Sequence, residues 1–98
     1  MTPSGSRPQA TPEVQVDTER LRVTKWSFAP GAETGWHRHG MDYAVVPVVN
    51  GTLLIETGSA SQTFELVAGQ SYARPAGVEH NVVNGSPHPI AFVEIELK

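Results

Sequence analysis

Two histidines separated by one residue are the side chains of this sequence best suited to chemistry. His37 and His39 lie in residues 36–39, which are predicted to form a short strand. Because side chains alternate between the two faces of a strand, positions i and i+2 point the same way. The two imidazoles therefore project together, as adjacent metal ligands must. The alternative is that both are polar residues on a solvated strand face.

Composition narrows the classes of function that remain. The 98 residues carry no cysteine, which excludes disulfides and thiolate metal ligands, so a metal site must use His, Asp, Glu, Tyr or main-chain oxygen. A net charge of −3 and the absence of a Lys/Arg cluster argue against nucleic acid as a partner. No apolar run approaches the roughly 20 residues of a membrane helix, and no secretory signal is apparent. We therefore expect a single domain in the cytoplasm, with no membrane partner.

The arrangement of apolar and turn residues predicts an all-β fold. From Val14 onwards, turn residues recur at roughly the 8–12-residue spacing of sandwiches and barrels, and no segment has helical periodicity. Strands are predicted at residues 21–28, 36–39, 43–49, 52–57, 62–67, 71–74, 80–83 and 90–97. Asn50-Gly51 predicts a type I′ hairpin turn between two of them. Pro47 lacks a donor for a β-ladder, so it predicts an edge position or a bulge.

The first twelve residues differ from the rest of the chain. They contain three prolines and no large apolar residue beyond Met1. Such a segment buries too little surface to offset the entropy lost on ordering. We predict a flexible N-terminal tail over residues 1–12 and one barrel domain over residues 13–98.

Two spaced motifs frame the histidine pair. The first places a glycine six positions before the pair and another glycine after the next strand, and the second contains one further histidine. They read Gly31-x5-His37-x-His39 with Gly51, and Gly69-x5-Pro75-x-Gly77-x2-His80-x3-Asn84. In order and spacing, both closely resemble the two motifs of the cupin superfamily. Together they span more than half of the chain.

This resemblance implies a small cupin jelly-roll barrel of antiparallel strands with a metal inside its mouth. The family's ligands carry over to His37, His39 and His80, which would hold one divalent metal ion. Imidazole ligands do not choose between Fe, Mn, Ni and Zn. Pro75 and Gly77 would be structural, because proline sets the entry to a tight turn and glycine permits its backbone.

The chain departs from the family pattern at the glutamate ligand, expected four or five residues after His39. Tyr43 and Ala44 occupy those positions. Asp42 is the nearest carboxylate, but alternation points it away from the His39 face unless a bulge turns it inward. We therefore expect a three-histidine site and leave Asp42 or Tyr43 open as a fourth ligand. Tyr43 could otherwise donate a hydrogen bond beside the metal, or pack in the barrel with its hydroxyl satisfied.

Arg74 is a second departure, because the family residue before the motif proline is usually aliphatic and lines the barrel. A buried guanidinium is costly unless it is paired. It could pair with Glu94 or Glu96 of the last strand, bind a substrate carboxylate in bidentate fashion, or point outward. The first two arrangements can coexist.

Three aromatic residues and the fourth histidine have simpler interpretations. Trp26 and Phe28 share one face and are expected in the core or in a dimer interface. Trp36 precedes the histidine pair and could form a wall of the pocket. His88 lies in the loop Ser86-Pro87-His88-Pro89 and is expected to be exposed rather than a ligand.

Residues 35–43 also look like those of small single-domain bacterial cupins, some of which are assigned to β-alanine degradation. That resemblance implies a small carboxylate-bearing ligand, which agrees with an arginine inside the barrel. We predict a metal-dependent enzyme of dioxygenase, isomerase or decarboxylase type on a small organic acid, with Tyr43 and Arg74 as candidate catalytic residues. The alternatives are a non-catalytic module that binds a metal or small molecule and a scaffold stabilised by its metal. Small cupins are usually dimers, so we expect a homodimer, for which residues 45–49 offer an edge or a face.

Overall fold

Nine antiparallel strands form the regular structure of residues 7–98, the part of the chain that this computed structural model describes. They are β1 Thr11–Asp17, β2 Leu21–Phe28, β3 His37–Arg38, β4 Tyr43–Pro47, β5 Gly51–Glu56, β6 Ser61–Leu66, β7 Tyr72–Arg74, β8 Glu79–Asn84 and β9 Ile90–Leu97. The all-β prediction is confirmed, with most strand bounds within one or two residues of those predicted. No helix among residues 7–98 is long and apolar enough to cross a membrane.

The strands form two sheets that enclose one core. The five-stranded sheet has the order β1-β2-β9-β4-β7, and the four-stranded sheet has the order β3-β8-β5-β6. Alternation places Tyr43, Val45 and Pro47 of β4 in the interior, while the residues between them are half-buried. Phe28 belongs to the core, where its ring lies 5.3 Å from that of Phe92. The closed double sheet therefore has a continuous inner face on which functional side chains can be placed.

The chain is ordered earlier than the sequence predicted. Strand β1 begins at Thr11, inside the predicted tail, and Ala10 is 1% exposed. Gln9 forms a β-bridge with Glu33. Pro12 is tolerated because β1 pairs only with β2 and lies at the edge of its sheet. Edge pairing thus orders a segment whose own composition favours disorder, whereas residues 1–6 of the predicted tail lie outside the described residues.

The predicted hairpin at Asn50-Gly51 is wrong. Neither residue has a positive φ, which a type I′ turn requires. Strands β4 and β5 belong to different sheets, and β5 pairs with β6 and β8 instead. Gly51 is needed for space, because a Cβ there would lie 2.6 Å from Ile90 Cγ2 and 2.9 Å from Ser86 Oγ. Asn50-Gly51 therefore lies where the chain passes from one sheet to the other, at a tightly packed position.

Strand β4 lies in the interior of its sheet, so of the edge or face that residues 45–49 were expected to offer to a dimer, the edge is ruled out. It pairs with β9 on one side and β7 on the other. Pro47 is the last residue of β4 and pairs with Phe92, whereas the last pair with β7 is Val45 with Tyr72. Proline is accommodated at the end of this interior strand because β7 does not reach it.

We predict that Gly51→Ala destabilises the protein by about 1–3 kcal/mol, the usual cost of overpacking a filled site. The Ser86 hydroxyl cannot readily retreat, since it accepts a 2.7 Å hydrogen bond from Thr52 N–H. Thermal unfolding of both proteins measures the difference.

The matched control is Gly58→Ala, because a Cβ at Gly58 meets no atom within 4 Å and its φ is not in the left-handed region. Equal melting temperatures for the two variants would contradict the steric role of Gly51.

Candidate metal centre

Pairing between β3 and β8 brings the three predicted histidines together. His37 on β3 lies directly opposite His80 on β8. The alignment continues past β3, because His39 N–H donates to Val78 O at 2.9 Å and Gly77 N–H donates to His39 O at 2.7 Å. His37 and His39 face the same side, as their spacing predicted. The pairing register of β3 and β8 thus brings His80 together with His37 and His39, although they are far apart in sequence.

The distances within this cluster fit one shared metal ion. Each of the three residues offers a ring nitrogen within 4.8 Å of the other two. Nε2 of His37 and Nε2 of His39 are 3.0 Å apart. Two nitrogens bound at ~2.0–2.1 Å to one zinc ion can lie at most ~4.2 Å apart, a limit that the His37–His39 pair meets. Three imidazoles also form a donor set that suits divalent transition metals, so the residues fit the group that the sequence predicted.

Hydrogen bonds to Nδ1, the ring nitrogen that does not face the other histidines, set the orientation of His37. Nδ1 lies 2.9 Å from Gly35 O and 3.2 Å from Thr34 Oγ1. When Nδ1–H donates to the carbonyl of Gly35, Nε2 carries the free lone pair, and this lone pair is directed at His39. Such outer hydrogen bonds select the tautomer of a ligand histidine and strengthen it as a ligand.

A polar network behind β3 supports this arrangement. The side chain of Asn81 accepts from Gly35 N–H at 2.9 Å and donates to Glu33 at 2.8 Å and to Glu56 at 2.9 Å. Arg7 then forms ion pairs with both carboxylates, at 3.2 and 3.0 Å. Arg7 also lowers the pKa of Glu56, chiefly through this hydrogen bond. The N-terminal segment is therefore connected to the backbone that orients His37.

Burial keeps two of the histidines in the form that binds metals. His39 is 6% exposed and His80 is 7% exposed. Desolvation lowers the pKa of each to about 4, and the neighbouring His37 adds to the effect. A neutral imidazole offers the lone pair that a metal needs. Both side chains are thus neutral at pH 7.

The two residues left open as a fourth ligand have different surroundings. Asp42 is exposed, and its carboxylate accepts a 2.7 Å hydrogen bond from Ala76 N–H, away from the cluster. The Tyr43 ring is buried and stacks on His39 with ring centroids 3.8 Å apart. Desolvation raises the pKa of Tyr43 to about 12, so its hydroxyl keeps its proton at neutral pH. The Tyr43 ring therefore supports His39 by stacking on it, and the Tyr43 hydroxyl can donate a hydrogen bond.

A cavity of about 230 Å³ opens beside the cluster, within the barrel. His80, Tyr43, Tyr72 and Arg74 line it together with apolar core residues such as Phe92. The cavity joins one face of the histidine cluster to the hydrophobic interior. A small organic molecule can therefore lie against both.

Arg74 turns into this cavity without the partner that one prediction gave it. Among residues 7–98, no ion pair joins Arg74 to Glu94 or Glu96. Its guanidinium lies over the rings of Tyr72, at 4.7 Å, and Phe64, at 5.4 Å. Its only hydrogen bond in this part of the chain is donated to Ala73 O at 2.9 Å. The aromatic faces, rather than a carboxylate, thus hold the cation in place.

Glu94, which the sequence offered only as a partner for Arg74, also belongs to the site. This residue is 8% exposed and lines the same cavity, and desolvation raises its pKa to about 7. Carboxylate oxygens of Glu94 and Glu96 also lie within 4.8 Å of each other and of a ring nitrogen of His39. The signal was available in the sequence, because Phe92, Glu94 and Glu96 share one face of the last strand. A buried carboxyl beside three histidines is a functional candidate.

Three other positions singled out in the sequence lie outside the cavity. Trp36 is 53% exposed and donates to Glu79 at 3.1 Å, so the prediction that it forms a pocket wall is wrong. His88 is exposed, as expected, and its Nε2 lies 2.8 Å from Asn50 O. Asn84, the last position of the second motif, is the buried last residue of β8, and its side-chain amide donates to the main-chain carbonyls of Phe28, Ala29 and His88.

A double-sheet antiparallel barrel with a histidine cluster beside its cavity defines the class of protein. The Cupin_2 family model, described as a cupin domain, matches residues 24–96. This chain belongs to the cupin family.

Relatives of known name or structure share this architecture. The chain is 62% identical over 92 residues to the β-alanine degradation protein BauB of Pseudomonas aeruginosa, covering 94% of this chain and 97% of that protein. A cupin domain from Bordetella pertussis has a solved structure with a TM-score of 0.92 and 59% identity, covering 95% and 97% of the two chains. The polyketide cyclase RemF of Streptomyces resistomycificus shares the fold alone, with a TM-score of 0.72, 19% identity and coverages of 94% and 69%.

We predict that the purified protein binds roughly one equivalent of a divalent transition metal and that His37→Ala abolishes this binding, because one of three ligands is lost. Elemental analysis after reconstitution and dialysis measures the content. A metal-induced rise in melting temperature gives an independent readout.

His88→Ala is the control, since this imidazole lies away from the cluster and should leave the metal content unchanged. A wild-type protein that takes up no Fe, Mn, Ni or Zn after reconstitution would contradict the site.

Proposed function

We propose that this protein is a metal-dependent enzyme that acts on a small carboxylate-bearing organic molecule inside the barrel. His37, His39 and His80 hold one divalent ion, Arg74 binds the carboxylate, and Tyr43 donates a hydrogen bond to the substrate. A bound divalent ion would supply Lewis-acid polarisation or activation of a small ligand. Dioxygenase, isomerase and decarboxylase chemistries all use these functions.

The shared cavity is the observation that supports this proposal most. Its volume of about 230 Å³ is ample for an acid of three or four carbons. His80 and Arg74 line the same space, so a molecule bound by its carboxylate would lie beside the candidate metal centre. A bound substrate positioned against the reacting centre lowers the entropic part of the barrier.

Arg74 is suited to recognising an anion because no carboxylate neutralises it among the described residues. A guanidinium binds a carboxylate in bidentate fashion through parallel N–H groups. The rings of Tyr72 and Phe64 restrict its movement, so little entropy is lost when it binds. The ligand would supply the counter-charge that the protein lacks at this position.

Tyr43 would act as a donor rather than as a base. Its raised pKa keeps the hydroxyl protonated, and its ring is fixed against His39. A hydroxyl in that position can stabilise negative charge that develops on a substrate oxygen. The apolar lining of the cavity strengthens such hydrogen bonds by excluding water.

The name of the Pseudomonas aeruginosa relative agrees with the proposed ligand class. That protein is called a β-alanine degradation protein, and β-alanine carries a carboxylate on a three-carbon chain. A molecule of this size fits the cavity.

The alternative function is a non-catalytic module that binds a metal or small molecule. A binding module would be favoured if the cavity held no group, other than the metal ligands, that could accept or donate a proton. Glu94 supplies such a group inside the cavity, which supports catalysis. A thermal shift with small acids but no product from any of them would favour the binding module.

We also propose that the protein functions as a cytoplasmic homodimer. A chain of this size buries a modest share of its surface when folded alone. Val14 and Val16 on the edge strand β1 are 57% and 43% exposed, and every residue of β1 is exposed. A two-fold pair of chains is the commonest way to cover such residues.

Replacing Arg74 by methionine is expected to weaken propanoate binding to the metal-loaded protein roughly 10–100-fold, since a hydrogen bond to a charged group contributes about 1.5–3 kcal/mol. Titration calorimetry measures the affinity, and metal content should not change. Arg20→Met, at an exposed position between β1 and β2, is the control. Unchanged propanoate affinity in Arg74→Met would refute the role of Arg74.

Light scattering in solution tests the dimer. The expected mass is about twice the 10.6 kDa of one chain, and Val14→Glu should shift the population towards the monomer by placing charge in the interface. A wild-type mass of one chain at micromolar concentration would exclude a stable homodimer.

A further inference from the structure

The backbone that leads to His37 lies between two other segments of the chain. On one side, Thr34 N–H donates to Val82 O of β8 at 2.9 Å. On the other side lie residues 7–10, a segment that we call the N-terminal strap. The position of this ligand histidine therefore depends on the strap as well as on a strand of the barrel.

Main-chain hydrogen bonds attach the strap in a defined register. Glu33 N–H donates to Pro8 O at 2.9 Å, and Ala10 N–H donates to Glu33 O at 2.8 Å. Gln9 and Glu33 form a parallel β-bridge, and the side-chain amide of Gln9 donates to Thr34 O at 3.0 Å. The strap thus pairs with residues 33–34 as a short edge strand would.

Arg7 joins the strap to two carboxylates that would otherwise repel each other. Its Nη1 lies 3.2 Å from Glu33 Oε1 and 3.0 Å from Glu56 Oε1. The side-chain amide of Asn81 donates to the same two oxygens, at 2.8 and 2.9 Å. The carboxylate side chains are only 17% and 33% exposed, so water screens their repulsion incompletely. Without the guanidinium, this repulsion would act on Asn81, which lies between them.

Two hydrogen bonds carry a shift of Asn81 to His37. The Asn81 side chain accepts from Gly35 N–H at 2.9 Å, and Gly35 O lies 2.9 Å from His37 Nδ1. Thr34 Oγ1 is the other group near this nitrogen, at 3.2 Å, and Gln9 holds the carbonyl of the same residue. A ligand imidazole with a loosened outer hydrogen bond binds its metal less tightly.

We propose that Arg7 is a positioning residue for His37, so that metal binding and attachment of the strap strengthen each other. This inference rests on the metal centre of the proposed function and assigns a role to residues outside the cavity. Coupling between two binding events is reciprocal. If the attached strap tightens metal binding, the bound metal must tighten attachment of the strap.

Zinc affinity of Arg7→Met, measured by competition with a chelator, tests the first direction. Methionine keeps an unbranched stem and loses both ion pairs. The dissociation constant should rise at least about threefold, since loss of a direct outer partner costs ~10–100-fold and Arg7 lies further out. Arg7→Lys keeps a cation between the carboxylates and should bind zinc more tightly than Arg7→Met.

Lys98→Met is the matched control for this measurement. It removes an ion pair of 2.6 Å to Asp17 of β1, and the Lys98 side chain is 29% exposed, close to the 25% of Arg7. Neither Lys98 nor Asp17 belongs to the network around His37. This variant should keep the zinc affinity of wild type, even if its melting temperature falls as much as that of Arg7→Met.

Hydrogen exchange of the full chain tests the reciprocal direction. Saturation with zinc should slow exchange of the Ala10 and Glu33 amides by about the factor that Arg7→Met loses in affinity. Thr18 N–H, which donates to Leu21 O at 2.9 Å between β1 and β2, is the internal control and should exchange at an unchanged rate.

The outcomes separate this inference from the proposed function. A smaller rise of the dissociation constant in Arg7→Met, equal weakening in Lys98→Met, or Ala10 exchange that zinc does not slow would overturn the coupling. Each of these results would leave the metal centre intact. Failure of the wild-type protein to bind zinc or any other divalent transition metal would overturn both.

Discussion

The pairing of β3 with β8 is the constraint on which the candidate metal centre depends. Strand β3 has two residues, yet its register sets His37 opposite His80. A slip of one residue would send the imidazole of His37 to the opposite face, because side chains alternate along a strand. Gly77 adopts a φ of 95°, which only glycine reaches at little cost, and its N–H donates to His39 O.

Support for so short a strand comes from the other side of β3. Asn81 ties the backbone of Gly35 to two carboxylates, and Arg7 joins those carboxylates from the N-terminal segment. Each buried polar group in this network has a partner, so it restricts the loop before His37 without leaving an unpaired charge. The region that holds one ligand histidine is therefore built from four separate parts of the chain: Arg7, the segment from Glu33 to His37, Glu56 on β5 and Asn81 on β8.

Polar side chains on the inner face of the five-stranded sheet connect the fold to the proposed function. The interior face of β4 and β9 is apolar towards one end, with Pro47 and Phe92, and polar towards the other, with Tyr43 and Glu94. Burying these polar groups costs stability that a purely apolar core would not lose. Their retention beside a cavity and a histidine cluster fits a site that a ligand completes.

Much of the fold and of the histidine cluster could be derived from the sequence because the patterns that determine them are local. Residue alternation, turn residues and the spacing of the two motifs determined the all-β class, most strand bounds and the shared face of His37 and His39. The tertiary structure alone decided which strands pair. It placed β4 and β5 in different sheets despite Asn50-Gly51, ordered β1 by edge pairing, left Arg74 on aromatic rings and put Glu94 in the cavity. Pairing between distant strands depends on the packing of the whole barrel, and neither the spacing nor the composition of one segment contains that information.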